Sequence, residues 1–341
     1  MDNNFEVDFV VTWVDGGDIK WQKEKKKYDI DFRGSVEDSI QRFRDWENMR
    51  YWFRSVEKYA PWVRKVFFVT YGHVPNFLNI DSPKVQVIRH EEIIDKQYLP
   101  TFNSCAIEVN LNKIPGLAEH FVYFNDDFFI TRPISKSTFF NNYGLPKLEA
   151  IESPISSYGD NSAYSHHLLN NVDVINRNFN KRKFIKENFT KFFNIKYQSK
   201  ILNNFLMLPW KNFNGFYNTH LPSANLKSTW NDVWRKEGKI LEQTTSHKFR
   251  TFYDVNPSLF TSWQIATGEF SPDKVNGKVF SISDSAIADI RKAIIDKKND
   301  FICLNDDISL SEQNFKFLKN SIKQSFNQCL PEKSSFEIKG K

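Results

Sequence analysis

The chain has 341 residues, 40% hydrophobic and 16% aromatic, with 33 Phe and 9 Trp. That excludes a disordered chain and leaves room for one large core or two modest ones. Its net charge of +6 is too dispersed to argue for nucleic acid, but it suits an anionic substrate or an anionic membrane surface.

Three cysteines, Cys105, Cys303 and Cys329, form an odd set without metal-ligand spacing, which points to a reducing compartment. The first residues carry neither a basic n-region nor an apolar h-region, and no run approaches about 18 apolar residues. A soluble, cytosolic globular protein is expected.

Residues 5–14 are rich in β-branched and aromatic side chains and stop at Asp15-Gly16-Gly17, so a strand and a turn are expected. No Gly-rich phosphate fingerprint occurs. Residues 18–40 are charged and irregular, a mobile loop or lid. Phe43, Trp46, Met49, Phe53, Val56 and Ala60 recur at three- and four-residue steps and predict an amphipathic helix from Arg42 to Ala60, closed by Pro61. Strands follow at 66–70 and 85–88, and Ser104 is placed to cap a helix carrying Ile107, Leu111 and Ile114.

Strand, helix and strand joined by short links make a βαβ unit, hence an α/β fold with a mostly parallel sheet and right-handed crossovers. Residues 165–215 turn rich in Asn, Lys and Phe and read as a helical insertion with a basic face. That face is either simply solvated or touches membrane or an acidic glycan. Short helices at 225–238 and 257–267 precede strands at 279–282 and 301–304, expected to rejoin the sheet. The tail from Pro331 to Lys341 should fray.

Phe121-Val122-Tyr123-Phe124 reads as a fully buried strand, and Asn125-Asp126-Asp127 stands at its carboxyl end, where open α/β sheets bind ligands. Adjacent carboxylates are costly to desolvate unless a cation holds them, and a hard divalent ion such as Mg²⁺ is the usual partner. Turn formation and helix capping are the plain alternative. The pattern recurs at Phe301-Ile302-Cys303-Leu304-Asn305-Asp306-Asp307. Two acidic strand ends far apart in sequence favour one shared site.

In order along the chain, these motifs resemble the Stealth family of sugar-phosphate transferases. Asp8-Phe9-Val10-Val11-Thr12-Trp13-Val14-Asp15-Gly16 is similar to its opening block. A second block runs from Arg42-Phe43-Arg44-Asp45 through Arg54-Ser55, Ala60-Pro61-Trp62, Leu99-Pro100-Thr101-Phe102, Ser104 and Glu108 to Asn125-Asp126-Asp127. His220-Leu221-Pro222, Lys227 and Phe249-Arg250 resemble the third block, and residues 301–306 the last. Asp15 departs from animal members, which carry Asn, so it either touches the donor or only makes the turn.

The resemblance implies a Rossmann-like nucleotide-sugar-binding core at 1–134, resumed at 216–330, with a variable helical insertion at 135–215 and a flexible tail at 331–341. It implies transfer of a hexose- or N-acetylhexosamine-1-phosphate from a UDP-sugar to a hydroxyl of a growing surface polysaccharide or lipid-linked oligosaccharide, releasing UMP. It also implies a position at the inner face of the cell membrane. It does not name the sugar.

Such a reaction needs charge neutralisation on a diphosphate, a base for the acceptor and stabilisation of the leaving phosphate. Asp126, Asp127 and Asp306 are the expected ligands of Mg²⁺ or Mn²⁺, with Asp127 also counted as catalytic and Asn125 beside the substrate. His220, in an irregular segment of the third block, suits a general base, while His166, His167 and His247 read as ordinary histidines. Arg250 offers a bidentate fork for phosphate. Arg42 and Arg54 bind substrate or pair with Glu47 or Glu57. Ser104 and Glu108 are assigned to substrate through the resemblance, Glu108 alternatively to Arg54. Trp13 lines a nucleoside pocket or is a core aromatic. Two rivals stand: a metal-dependent glycosyltransferase releasing UDP, and a non-catalytic glycan-binding module.

Overall fold

The apolar runs become β1 (Val7–Trp13), β2 (Val66–Thr70), β3 (Val85–Arg89) and β4 (His120–Phe124) of a computed structural model that describes residues 5–29, 45–157, 163–306 and 310–338. Six further strands are β5 (Phe128–Ile130), β6 (Lys147–Leu148), β7 (Ser223–Leu226), β8 (Ser271–Pro272), β9 (Gly277–Ser281) and β10 (Phe301–Asn305). The central sheet has the order β3-β2-β1-β4-β7, parallel except for the edge strand β7, which runs antiparallel to β4.

Continuous apolar strands such as Val66–Thr70 are buried on both faces, as parallel sheets require. Alternation still assigns the faces. Phe9 and Val11 of β1, with Phe68 and Phe124, pack on Trp52, Phe53 and Val56 of the helix Met49–Tyr59. Val10, Phe67, Phe121 and Tyr123 point the other way, onto Trp230, Val233 and Trp263 of the helices Lys227–Ser246 and Ser258–Ala266. Each large apolar side chain so buried contributes roughly 1.5–3 kcal/mol, so the sheet is clamped between two helical layers. Between β1 and β4 the strand order reverses, and a crevice opens there beyond the carboxyl ends.

Several expectations change. β9 and β10 do not return to the central sheet. They form a second sheet, β5-β10-β9, with β10 parallel to β9 and antiparallel to β5. Because β5 begins right after Asp127, its pairing with β10 carries the second acidic strand end to the first.

The helix expected at 42–60 spans Met49–Tyr59, and Arg42 lies outside the described residues. Within the stretch read as a lid, residues Ile19–Tyr28 form a helix whose N-terminus is capped by the Asp18 carboxylate, which accepts from the Lys20 and Trp21 amides. The short helix at 104–108 is capped by Asn103, which leaves the Ser104 hydroxyl for another partner. Residues 225–238 hold the end of β7 and the start of a 20-residue helix. The insertion is helical over Ala163–Asn178, Lys181–Glu187, Phe189–Phe192 and Ile201–Leu206.

Arg54 does not reach the crevice. It is 6% exposed and forks onto Glu337, with Nε and Nη2 donating at 2.7 and 3.0 Å, while Nη1 donates to the carbonyls of Leu330 and Pro331. Its acidic partner is therefore Glu337 rather than Glu47, Glu57 or Glu108. The same contact corrects the tail. Ser334, Phe336 and Glu337 are buried, with Phe336 against Phe53 and the Asn79 amide donating to the Phe336 carbonyl.

Candidate active site

A cleft of about 970 Å³ lies at the switch point, and both acidic strand ends open into it. Asn125, Asp126 and Asp127 come from the β4–β5 turn, and Asn305 and Asp306 from the end of β10. The two are fastened together, since the Leu304 amide donates to the Asp127 carbonyl at 3.0 Å. The Cys303 thiol lies 3.4 Å from Asp127 Oδ2 and 3.2 Å from Asn305 Oδ1. Burial and the neighbouring carboxylates push that thiol far up, so it stays a neutral S–H donor.

Beside these strand ends, His220 sits in the left-handed region at φ 49°, rare for a residue with a Cβ and typical of sites where geometry is imposed. Its amide donates to Asn218 Oδ1, and Phe128 meets its ring edge-on at 5.2 Å. Nε2 is 3.1 Å from Asn305 Oδ1 and 3.9 Å from Asp127 Oδ2. With the Asn305 oxygen as acceptor, Nε2 carries the proton and Nδ1 keeps its lone pair. Burial, partly offset by Asn305, holds His220 below the ordinary histidine value, so the ring is neutral at pH 7.

Arg250, Ser104, Glu108 and Tyr123 line the same cleft. Arg250 Nη2 donates to the Ser104 hydroxyl at 2.5 Å, the partner that the Asn103 cap leaves available. Glu108 is raised by burial and eased by Arg250, Tyr123 and Ser104. The Tyr123 hydroxyl reaches Thr12 Oγ1 at 3.1 Å. Trp13 is a core aromatic, 9% exposed and packed on Phe68 and His73, with an edge in the cleft. Asp15 makes the turn, its Oδ1 accepting from the Gly17 amide at 2.8 Å. His167 and His247 serve as structural braces, bonded to the Thr251 carbonyl and to Asp254.

Asp126 rises to about 7 through crowding by protein atoms and the Asp127 charge, although its own surface opens to the cleft. Asp127 rises to about 6, chiefly by burial. Its Oδ1 is enclosed and accepts no hydrogen bond. An orphaned carboxylate oxygen beside a second raised carboxyl, with Asp306 lining the same cleft, fits a hard divalent cation with oxygen ligands. Donor atoms of Asp127, His220 and Cys303 also lie within 4.8 Å of one another. With Glu108 and Asp45 also lining it, the cleft carries more carboxylates than cations, and a phosphate ester needs a counter-ion to enter.

The sign of the pH dependence follows. Both carboxyls are raised, so their mutual repulsion and desolvation are absent below about pH 4 and fully present above about pH 7. The metal-free fold therefore loses stability as pH rises through that window. A cation that needs both groups ionised restores it. Scanning calorimetry with and without MgCl₂ should give a melting shift that is largest near pH 8 and small near pH 5. A shift that does not vary with pH would place the cation elsewhere.

Sequence reasoning passed over Asn305, Cys303 and Tyr123 as functional groups. Asn305 alone carried a signal, its place in the repeated motif.

The fold is α/β with a mostly parallel central sheet, and the relatives that match the chain make it a transferase. The chain belongs to the Stealth family, whose conserved region 1 matches residues 5–33 and conserved region 2 matches residues 42–148, and it is a phosphotransferase. It is 42% identical over 341 residues to a capsular polysaccharide phosphotransferase, WcwK, of Streptococcus pneumoniae, covering 99% of this chain and 100% of the relative. A receptor polysaccharide phosphotransferase, WefC, of Streptococcus oralis is 40% identical over 98% of this chain and 99% of its own. An exopolysaccharide phosphotransferase of Lactiplantibacillus plantarum is 38% identical over 98% and 96%.

Proposed function

We propose that the protein moves a hexose- or N-acetylhexosamine-1-phosphate from a UDP-sugar to a hydroxyl of a growing surface polysaccharide or its lipid-linked precursor, releasing UMP. The observation that carries this reading is the meeting of both acidic strand ends with His220 and Arg250 in one cleft. Relatives named as polysaccharide phosphotransferases along their whole length support the acceptor class.

The acceptor oxygen attacks the phosphorus that bears the sugar, and its proton passes to Nδ1 of His220, which the Asn305 contact leaves available. The bond from that phosphorus to the bridging oxygen breaks, and UMP departs with the oxygen. The bond between C1 and its oxygen is never touched, so the anomeric configuration is kept. Arg250, steadied by Ser104, presents its guanidinium to the phosphoryl oxygens, and Glu108 accepts from sugar hydroxyls. Mg²⁺ or Mn²⁺ held by Asp126, Asp127 and Asp306 would neutralise the diphosphate.

Incubation with a panel of UDP-sugars, MgCl₂ and oligosaccharide acceptors should release UMP and leave a phosphodiester-linked sugar on the acceptor. Release of UDP instead would overturn phosphotransfer in favour of a glycosyltransferase. His220→Ala should lower kcat by about 10²–10⁴-fold with donor KM little changed. An unaltered kcat would remove His220 from the chemistry.

A further inference from the structure

The helical insertion carries a surface that the proposed chemistry does not use. Of the 17 large apolar side chains exposed among the described residues, seven fall between 189 and 210. Ile195 is 89% exposed, Leu206 65%, Leu202 60%, Phe189 57%, Trp210 52% and Phe205 49%. Two of them are joined through a third ring, since Phe189 meets Phe193 at 4.9 Å and Phe193 meets Phe205 at 4.5 Å between ring centroids.

The short helix Ile201–Leu206 is built inside out. Its one buried side chain is polar: Asn204, at 0% exposure, donates to the Ala150 and Phe192 carbonyls and accepts from the Glu152 amide. Leu202, Phe205 and Leu206, at i, i+3 and i+4, turn away from it into solvent. A helix pinned to the protein by an amide and presenting leucine and phenylalanine outward reverses the usual burial. Such a patch marks an interaction surface.

Charge identifies the partner. Between 181 and 211 there are eight basic residues and one acid, a local net of +7, while the whole chain is +6. The remaining 39 basic and 40 acidic residues leave the rest of the molecule at −1. Lys181, Lys196 and Lys200 are drawn into ion pairs with Glu152, Asp273 and Glu149. Arg182, Lys183, Lys186 and Lys211 are exposed. Protruding Leu, Phe and Trp among Lys and Arg is the composition that seats in the headgroup layer of an anionic bilayer.

We propose that the insertion docks the protein on an anionic membrane surface, with Leu202, Phe205, Leu206 and Trp210 in the interface and the basic residues against lipid phosphates. No helix among the described residues is long and apolar enough to cross a membrane, so docking of this kind is peripheral. The surface adjoins the cleft. Lys200 lies 3.9 Å over the ring of Tyr217, the next residue lines the cleft, and His220 follows two positions later. An acceptor held in the bilayer is thereby brought to the base, an arrangement that rests on the proposed function, whereas lipid binding itself does not.

The test is flotation of the full chain with vesicles of phosphatidylglycerol and phosphatidylcholine, compared with phosphatidylcholine alone. Binding is expected to the anionic vesicles and to weaken with added salt. Phe205→Ser/Leu206→Ser should lower it about tenfold, and so should Arg182→Glu/Lys183→Glu/Lys186→Glu, each with unchanged melting temperature and unchanged nucleotide release on a soluble acceptor. No binding by the native chain, or native binding by both variants, would overturn the proposal. So would a native dimer in sedimentation that Phe205→Ser/Leu206→Ser dissolves without any vesicle binding, which would assign the face to a second copy. Flotation, melting and sedimentation need no sugar donor, so a wrong donor leaves the outcome interpretable.

Discussion

Asp127→Asn is expected to lower kcat by at least about 10³-fold while leaving the metal-free protein as stable as the native one or slightly more so. The two effects have one cause. Asp127 is raised to about 6 chiefly because its charge is buried, with the Glu108 charge adding to the rise, so an amide of the same shape removes a charge that the metal-free fold does not compensate. The Cys303 thiol can still donate to the amide oxygen, so packing is kept. What is lost is a ligand for the cation and with it the pH-dependent melting shift. Kinetics should be measured together with calorimetry at pH 8. Full activity in Asp127→Asn would refute the cation site, and a collapsed melting temperature would make Asp127 a structural residue.

Arg54→Ala should destabilise the fold by about 3–5 kcal/mol and spare turnover in whatever fraction stays folded. The guanidinium satisfies both oxygens of Glu337 and two carbonyls at the end of the helix Glu312–Cys329. Without it, Glu337 keeps the Ser334 amide and Arg50, which stands 3.5 Å away and 43% exposed. That screened contact is worth at most about 1 kcal/mol. The double variant Arg54→Met/Glu337→Met removes both charges and should recover much of the loss, a result readable by urea denaturation. If Arg54→Ala unfolds at the native midpoint but fails to bind donor, the arginine belongs to the substrate after all.

Arg54 also illustrates why part of the molecule escaped reading from sequence. Its local context, a guanidinium among core aromatics, demands an acidic partner, and that much was legible. Choosing the partner was not. Glu337 lies 283 positions away in a segment whose Lys, Ser and Glu content resembles a frayed end, and only Phe336 hints that it packs. The helix expected to start at Arg42 was over-extended because Phe43 and Trp46 fit its period. Trp46 instead meets Phe315 edge-on at 4.7 Å, outside the helix.

At the cleft, the acidic strand ends were legible because both signals are local: an apolar run ending in Asn-Asp-Asp. Their convergence was expected from repetition alone. The structure supplies the physical route, a three-residue strand, β5, too short to be read from its pattern. His220 and Arg250 were found through the order of family blocks, since a histidine in an irregular segment has no periodicity to reveal it. Nothing local marked Asn305 as the group that orients His220, or Cys303 as the donor to Asp127.

The sequence by itself determined the class of fold, the positions of the main strands and the acidic chemistry at their ends, because strand burial and turn residues follow from neighbours a few positions apart. Tertiary structure alone decided that β9 and β10 form a second sheet, that Arg54 closes the tail and that Ser104 steadies Arg250. Each of these is a pairing between distant segments. Its free energy depends on which partners the closed chain brings within about 3–4 Å, and that proximity has no signature in the local order of residues.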